Sequence, residues 1–194
     1  MAASDTSKIY GHDYFDQDTV KVARDLLGAK ILRQVGQRVM SGMVVETEAY
    51  CGKRDSACHA FRGQTPRNAV MFGPAGFSYV YLIYGLHHML NVVTESKGSP
   101  CAVLFRAVEP LQGQSLMREY RQCPEKNLTN GPGKLCQALN IDRTLNNWNL
   151  TSGKALWLEK YRTISDKQVA SGPRIGIGYA TEEDQLAPWR FWVT

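Results

Sequence analysis

The segment MVVETEAY, residues 43–50, constrains the fold most, because it predicts a β-strand that carries carboxylates. Its valines and its threonine favour an extended backbone, and Gly42 and Gly52 bracket it. Alternation of side chains divides the predicted strand into two faces: Val44, Glu46, Glu48 and Tyr50 on one, and Met43, Val45, Thr47 and Ala49 on the other. A glutamate in an apolar strand lies on a solvated face, is paired, or serves a reaction.

The rest of the chain predicts mixed helices and strands within one domain. A length of 194 residues and a hydrophobic content of 43% suit a single core, and no change in composition marks a second one. Residues 1–9 are expected to form a flexible amino terminus and residues 10–194 the folded domain. Helical periodicity covers residues 16–28, 113–122 and 130–139. Strand patterns cover residues 29–32, 40–50, 77–83, 86–93, 102–107, 155–159 and 174–179.

Two segments show the marks of functional structure. Residues 51–76 lack periodicity and carry His59, and a structureless loop of that length in a compact domain is usually functional. The strands at 77–83 and 86–93 predict a hairpin with Tyr84 at its tip. Tyr84 is either a wedge for stacked bases or a ring that folds back onto the sheet.

Charge and cysteine content narrow the class of protein. The formal charge is +5 and the pI is near 9.0, which fits a polyanionic partner but also suits many enzymes of small metabolites. Five cysteines without a CxxC pair indicate a reduced intracellular protein. Residues 1–8 are polar and small, and no run of about 18 apolar residues occurs, so we expect neither secretion nor membrane association. The expected location is the cytoplasm or nucleoid of a prokaryote, or the nucleus of a eukaryote.

The sequence Gly131-Pro132-Gly133-Lys134 precedes a predicted helix. Glycines and a proline at that point leave backbone N–H groups free to receive an anion, and Lys134 adds positive charge. The segment lacks the spacing of a nucleotide-binding P-loop, so it is a candidate for contact with a phosphate only.

Tyrosines and His59 near Glu48 indicate a pocket that stacks a flat heterocycle while the carboxylate handles a proton or a water. Such a pocket suits chemistry on a flipped nucleobase. One alternative is a metal cluster of Cys58, His59, His87 and His88, but their spacing matches no standard zinc pattern, and we expect no metal and no cofactor. The other alternative is a non-catalytic module that binds bent or damaged DNA and would not need Glu48.

Five motifs span almost the whole chain, in order: VETEAY at 45–50, QTPRN at 64–68, YVYLIYG at 79–85, GPGKLCQ at 131–137 and RIGIG at 174–178. Together they resemble the alkyladenine (3-methyladenine) DNA glycosylase family. The resemblance implies one α+β domain with a curved antiparallel sheet, flanked by helices, and a hairpin that protrudes into the minor groove. It also implies a monomer that acts on double-stranded DNA containing damaged purines.

The resemblance further implies a role for individual residues. Glu48 would be the general base that activates a water, held with the help of Arg106 and the main-chain carbonyl of Ile177. Tyr50, His59 and Tyr81 would enclose the extruded base, and Asn91 would sense the edge of the purine. Tyr84 would be the wedge that fills the vacated stack. The DNA backbone would be contacted by four residues: Thr65, Met71, Arg121 and Lys134.

Overall fold

The computed structural model describes residues 8–194 and is organised around one eight-stranded, mostly antiparallel β-sheet. The strands are β1 (Lys30–Val35), β2 (Arg38–Cys51), β3 (Ser78–Ile83), β4 (His87–Thr94), β5 (Cys101–Gln112), β6 (Leu156–Glu159), β7 (Val169–Gly172) and β8 (Arg190–Val193). Their order across the sheet is β3-β4-β5-β2-β1-β6, while β8 pairs with both β2 and β7. The predicted α+β class is confirmed.

The central strand β2 is the longest, and it pairs with β1, β5 and β8. Its pairing with β5 shifts three times. Leu111 is skipped between Gln112 and Pro110, Val45 between Val44 and Glu46, and Arg106 between Ala107 and Phe105. Such bulges bend a strand and change the direction of its side chains, and they are common beside active sites. This irregularity therefore lies where two of the predicted functional residues meet, Glu48 on β2 and Arg106 on β5.

The bulge at Val45 makes one prediction about β2 wrong. Val44 packs in the main hydrophobic core with Ala49, and the Thr47 hydroxyl donates to the carbonyl of Ala23. Val44 therefore faces the helices, and its predicted place beside Glu48 is wrong. The reason is that the extra residue at the bulge interrupts the strict alternation of side chains.

Short helices cover the sheet and close its main core. They are α1 (His12–Phe15), α2 (Thr19–Asp25), α3 (Gln114–Tyr120), α4 (Pro132–Ala138) and α5 (Glu182–Leu186). The side chain of Asp18 caps α2 by accepting the N–H of Lys21. Within residues 8–194, no helix is long and apolar enough to cross a membrane.

Most predicted elements are present, with different ends. The helix predicted at 16–28 is α2, which stops at Asp25, and the strand predicted at 102–107 extends to Gln112 in β5. Of the amino-terminal segment predicted to be flexible, residues 1–7 lie outside the described residues, and Ile9 forms a bridge with Glu159.

The strand predicted at residues 174–179 is absent from the described sheet. This segment forms turns instead, with Gly176 at a φ of +79°, and the N–H of Ile175 donates to a glutamate side chain rather than to a neighbouring strand. Strands β7 and β8 complete the sheet on this side, and the sequence did not predict them.

The hairpin of β3 and β4 carries Tyr84 at its tip, as predicted. Tyr84 is 87% exposed and its neighbour Leu86 is 77% exposed, so neither side chain contributes to the core. Both Tyr84 and Gly85 have positive φ angles, of 52° and 69°. The left-handed conformation is uncommon for a bulky residue, so the turn holds Tyr84 at a cost in backbone energy.

Gly28→Ala should destabilise the protein by about 3 kcal/mol or more, because it adds overpacking to left-handed strain. Gly28 has a φ of +85°, and a Cβ there would collide with the carbonyl oxygen of Arg162 and lie 2.9 Å from Ile164 Cγ1. The measurement is the free energy of unfolding in urea. Gly36→Ala is the matched control, since Gly36 has a φ of +59° but open space around it, and should cost about 1 kcal/mol. Equal losses in the two variants would contradict the role of packing at Gly28.

Candidate active site

A cavity of about 340 Å³ opens beside β2, β3, β4 and β5. Most of its walls come from three parts of the chain: Tyr50, Tyr79, Tyr81, Asn91, Leu104 and Arg106 from the sheet; Ala57, Cys58, His59 and Met71 from the 51–76 loop; and Ile175, Ile177 and Tyr179 from the turns after β7. Tyr84 of the hairpin tip and Pro132 of α4 border it as well. Apolar and aromatic surfaces with a few polar groups are typical of a small-molecule or base-binding site.

The carboxylate of Glu48 lies fully buried directly behind this cavity. Its Oε1 accepts the backbone N–H of Ile175 at 2.8 Å, and its Oε2 accepts the hydroxyl of Tyr50 at 2.9 Å. Arg106 Nη1 lies 3.2 Å from the same Oε2. A buried carboxylate needs such donors, because an unpaired one would be strongly unfavourable in a dry interior.

Tyr50 stays protonated beside Glu48. Burial, followed by the neighbouring negative charge of Glu48, raises the pKa of Tyr50 well above its ordinary value. The phenol is therefore a permanent donor to the carboxylate.

A second carboxylate, Glu46, fixes the guanidinium that approaches Glu48. Glu46 Oε1 accepts from Arg106 Nε and from Arg190 Nη1, each at 3.1 Å. Alternating charges thus run from Arg190 through Glu46 and Arg106 to Glu48. Because Arg106 sits at the bulge of β5, its side chain can reach both glutamates of β2.

Aromatic rings form the side walls of the cavity. The ring of His59 lies 4.5 Å from that of Tyr81 at an interplanar angle of 70°, and its Nδ1 is 2.9 Å from the hydroxyl of Tyr79. His59 is exposed at the rim, yet burial of the rest of its ring, with a smaller contribution from Arg67, lowers its pKa to about 4. Its ring is therefore neutral at physiological pH, and the aromatic side walls of the cavity, which we call the aromatic cage, carry no charge.

Two further predicted residues line or border the cavity. Asn91 is buried, and its Nδ2 donates to the carbonyl of Tyr79 at 3.0 Å, which leaves its Oδ1 without a donor from residues 8–194. Ile177 is also buried, and its carbonyl accepts the N–H of Ala180 at 2.9 Å. The structure therefore brings Glu48, Arg106 and Ile177 into one site with the predicted base pocket.

The residues predicted to contact the DNA backbone are more dispersed. Thr65 is exposed on the 51–76 loop, whereas Met71 is buried and lines the cavity. Arg121 Nη1 donates to Gln137 Oε1 at 2.8 Å, and Lys134, in the first turn of α4, donates to Asn130 Oδ1 at 2.9 Å.

Sequence reasoning missed several groups of the site. Arg174 and Ile175 fell in a predicted strand, so their approach to Glu48 was not expected. Tyr179 was missed as well, although its hydroxyl donates to the carbonyl of Ala57 at 2.9 Å and so joins two walls of the cavity. The sequence did contain one signal: residues 174–179 are rich in glycine and also contain Arg and Tyr. Glycines allow the backbone to approach other groups closely.

No group of three or more His, Cys, Asp or Glu side chains that could hold a metal ion is found in the described part of the chain. Its cysteines are all free thiols. The chemistry visible in this site is that of a carboxylate, guanidinium groups and aromatic rings.

Comparison with known proteins gives one consistent result. The sequence pattern of the methylpurine-DNA glycosylase (MPG) family matches residues 13–194. A protein of Methanocella arvoryzae is 47% identical over 93% of this chain and 90% of its own length. A protein of Desulfitobacterium hafniense is 42% identical over 96% of this chain and 95% of its own length. A protein of Myxococcus xanthus is 45% identical over 93% of this chain and 87% of its own length. All three carry the assigned name 3-methyladenine DNA glycosylase.

His59 should titrate far below the ordinary histidine value of about 6.5, with a pKa near 4, because protonation would place a charge among buried rings. NMR of the labelled imidazole during an acid titration measures this value. Arg67→Gln should raise the pKa of His59, since Arg67 contributes to the lowering. A midpoint near the ordinary value in the unaltered protein would contradict the neutral cage.

Proposed function

Because the chain belongs to the methylpurine-DNA glycosylase family, and is therefore a hydrolase of N-glycosyl bonds in DNA repair, we propose that it excises damaged purines from duplex DNA. The substrates are 3-methyladenine, 7-methylguanine, hypoxanthine and ethenoadenine, and their removal initiates base excision repair. The observation that carries this proposal is Glu48, a fully buried carboxylate at the back of an aromatic cavity of the size of a base.

Glu48 acts as the general base. A water attacks C1′ of the deoxyribose, a C–O bond forms, and the N-glycosyl bond breaks with its electron pair leaving on the purine. Glu48 takes the proton of the water, while Arg106 and the carbonyl of Ile177 help to hold that water. No lysine of residues 8–194 lines the cavity, which favours release of an abasic site over strand cleavage through an amine adduct.

The aromatic cage supplies recognition. Purines alkylated at N3 or N7 carry a positive ring charge, so they leave readily and stack favourably on the electron-rich faces of Tyr50 and Tyr81. A neutral His59 adds a flat surface without repelling such a base. Asn91 lines the cavity and meets the purine edge that bears the 2-amino group of guanine. Its side chain, fixed by the bond to Tyr79, obstructs that group sterically and so discriminates against undamaged guanine.

Access to a base inside duplex DNA requires flipping. Tyr84 at the exposed hairpin tip fills the vacated stack. Thr65, Arg121 and Lys134 contact the DNA backbone through their side chains, and the buried Met71 does so through its main chain. The net charge of +5 favours the approach to DNA. The protein acts inside the cell as a monomer and without a cofactor.

A non-catalytic module that binds damaged DNA is the alternative function. Such a module would use the wedge and the cations but would gain nothing from a buried carboxylate with three donors. The cluster around Glu48 therefore favours the enzyme.

Glu48→Gln should lower base excision by at least about 100-fold, the usual scale for loss of a general base, while lesion binding stays within a few fold. The measurement is release of hypoxanthine from a labelled duplex, detected by alkaline cleavage at the abasic site. Glu109→Gln is the matched control, because Glu109 is exposed on β5 at a distance from the cavity. Full activity of the Glu48 variant would exclude Glu48 as the base.

Tyr84→Ser should weaken binding to a duplex that contains ethenoadenine by about 10-fold, because the wedge no longer stacks in the gap. Single-stranded lesion DNA has little stacking to replace, so its binding should change much less. Fluorescence titration of ethenoadenine measures both. Tyr161→Ser, at another exposed tyrosine, should leave both affinities unchanged. Equal losses on the two substrates would show that Tyr84 is not a wedge.

A further inference from the structure

Arg174 is a fully buried guanidinium that lies between two aromatic rings. Its Cζ is 4.8 Å from the ring centre of Tyr50 and 4.9 Å from that of Trp189. Arginine is suited to such stacking because its guanidinium is planar and weakly hydrated. One face of the guanidinium thus supports the same Tyr50 that donates to Glu48.

The carboxylate of Asp55, also fully buried, anchors this guanidinium with two parallel bonds. Nη1 donates to Asp55 Oδ2 at 2.6 Å, and Nη2 donates to Asp55 Oδ1 at 2.8 Å. Nη1 also donates to the carbonyl of Ala49 at 2.9 Å, and Nη2 to that of Asp184 at 3.2 Å. These four hydrogen bonds, with two rings packed against the guanidinium, fix the position and the orientation of Arg174.

Arg174 is connected to both oxygens of Glu48. Ile175, the next residue in the chain, donates its N–H to Glu48 Oε1, and Tyr50, which stacks on Arg174, donates its hydroxyl to Glu48 Oε2. Displacement of Arg174 would therefore move two of the donors that hold the carboxylate.

We propose that Arg174, anchored by Asp55, is a positioning residue that holds Glu48 in its reactive orientation through Ile175 and Tyr50. This inference rests on the proposed function of Glu48. Stability alone does not require such a pair, since well-packed apolar residues often replace a buried ion pair at no loss. Catalysis does require it, because a displacement of about 1 Å at a reacting group can lower the rate by about 100-fold.

Arg174→Lys tests the proposal, since lysine keeps the charge but cannot form the parallel bonds or lie flat between the rings. We expect single-turnover excision of hypoxanthine to fall by about 30-fold, with binding of lesion DNA within about 3-fold. Arg33→Lys is the matched control. Its guanidinium is also partly buried and donates to main-chain carbonyls, those of Asn140 and Ala155, but it does not line the cavity. Excision by this control should stay within about 3-fold of the unaltered protein.

A double-mutant cycle separates positioning from a general structural role. Combined with Glu48→Gln, Arg174→Lys should lower the residual excision by less than about 3-fold, because the group it positions has already lost its function. Equal losses in both backgrounds, an equal loss in Arg33→Lys, or an unchanged rate in Arg174→Lys would each overturn the inference. Full activity of Glu48→Gln alone would instead overturn the proposed function, and this inference with it.

Trp189→Phe provides a second variant in case Arg174→Lys fails to fold, as judged by thermal melting. It reduces the ring on the far side of Arg174 and leaves the bonds to Asp55 in place. We expect a fall in excision of about 3- to 10-fold that again disappears in the Glu48→Gln background. An unchanged rate, or the same fall in both backgrounds, would overturn the proposal.

Discussion

The site depends on keeping one negative charge, that of Glu48, in a place without water. Burial of an isolated carboxylate is prohibitively unfavourable, so the fold must bring donors to it. These donors come from parts of the chain that are far apart in sequence: Tyr50 from the same strand, Arg106 from β5, and Ile175 from the turns after β7. Strand pairing and turn geometry on this side of the sheet are therefore coupled to the charge of a single side chain.

Charge balance continues outward from Glu48. Glu46 lies between Arg106 and Arg190, and Asp55 faces Arg174, so each of these three guanidinium groups has an acidic neighbour. The cavity wall thus combines strong local fields with almost no net charge. Such fixed, opposed charges suit the stabilisation of a transition state better than the general attraction of a ligand.

The sequence allowed prediction of those features that depend on neighbours in the chain. Glu48 and Tyr50 share a face because they are two positions apart, and the exposed Tyr84 follows from two strands around a short turn. The position of Val44 and the turn at Ile175 could not be predicted in this way. The bulge that turns Val44 depends on the pairing of β2 with its partner strand. The turn at Ile175 depends on a carboxylate more than a hundred residues away. Local periodicity of the sequence records neither of these long-range contacts.

The left-handed backbone at Tyr84 places the stability of the hairpin in opposition to the proposed role of this residue. Glycine or asparagine would occupy this φ with less strain, so a hairpin selected for stability alone would not keep a bulky aromatic ring there. The same conformation leaves the ring exposed before any DNA is bound. In the proposed role of Tyr84 as a wedge, the energy held in the turn reduces the ordering that binding would otherwise require, and a more stable hairpin would serve that role less well.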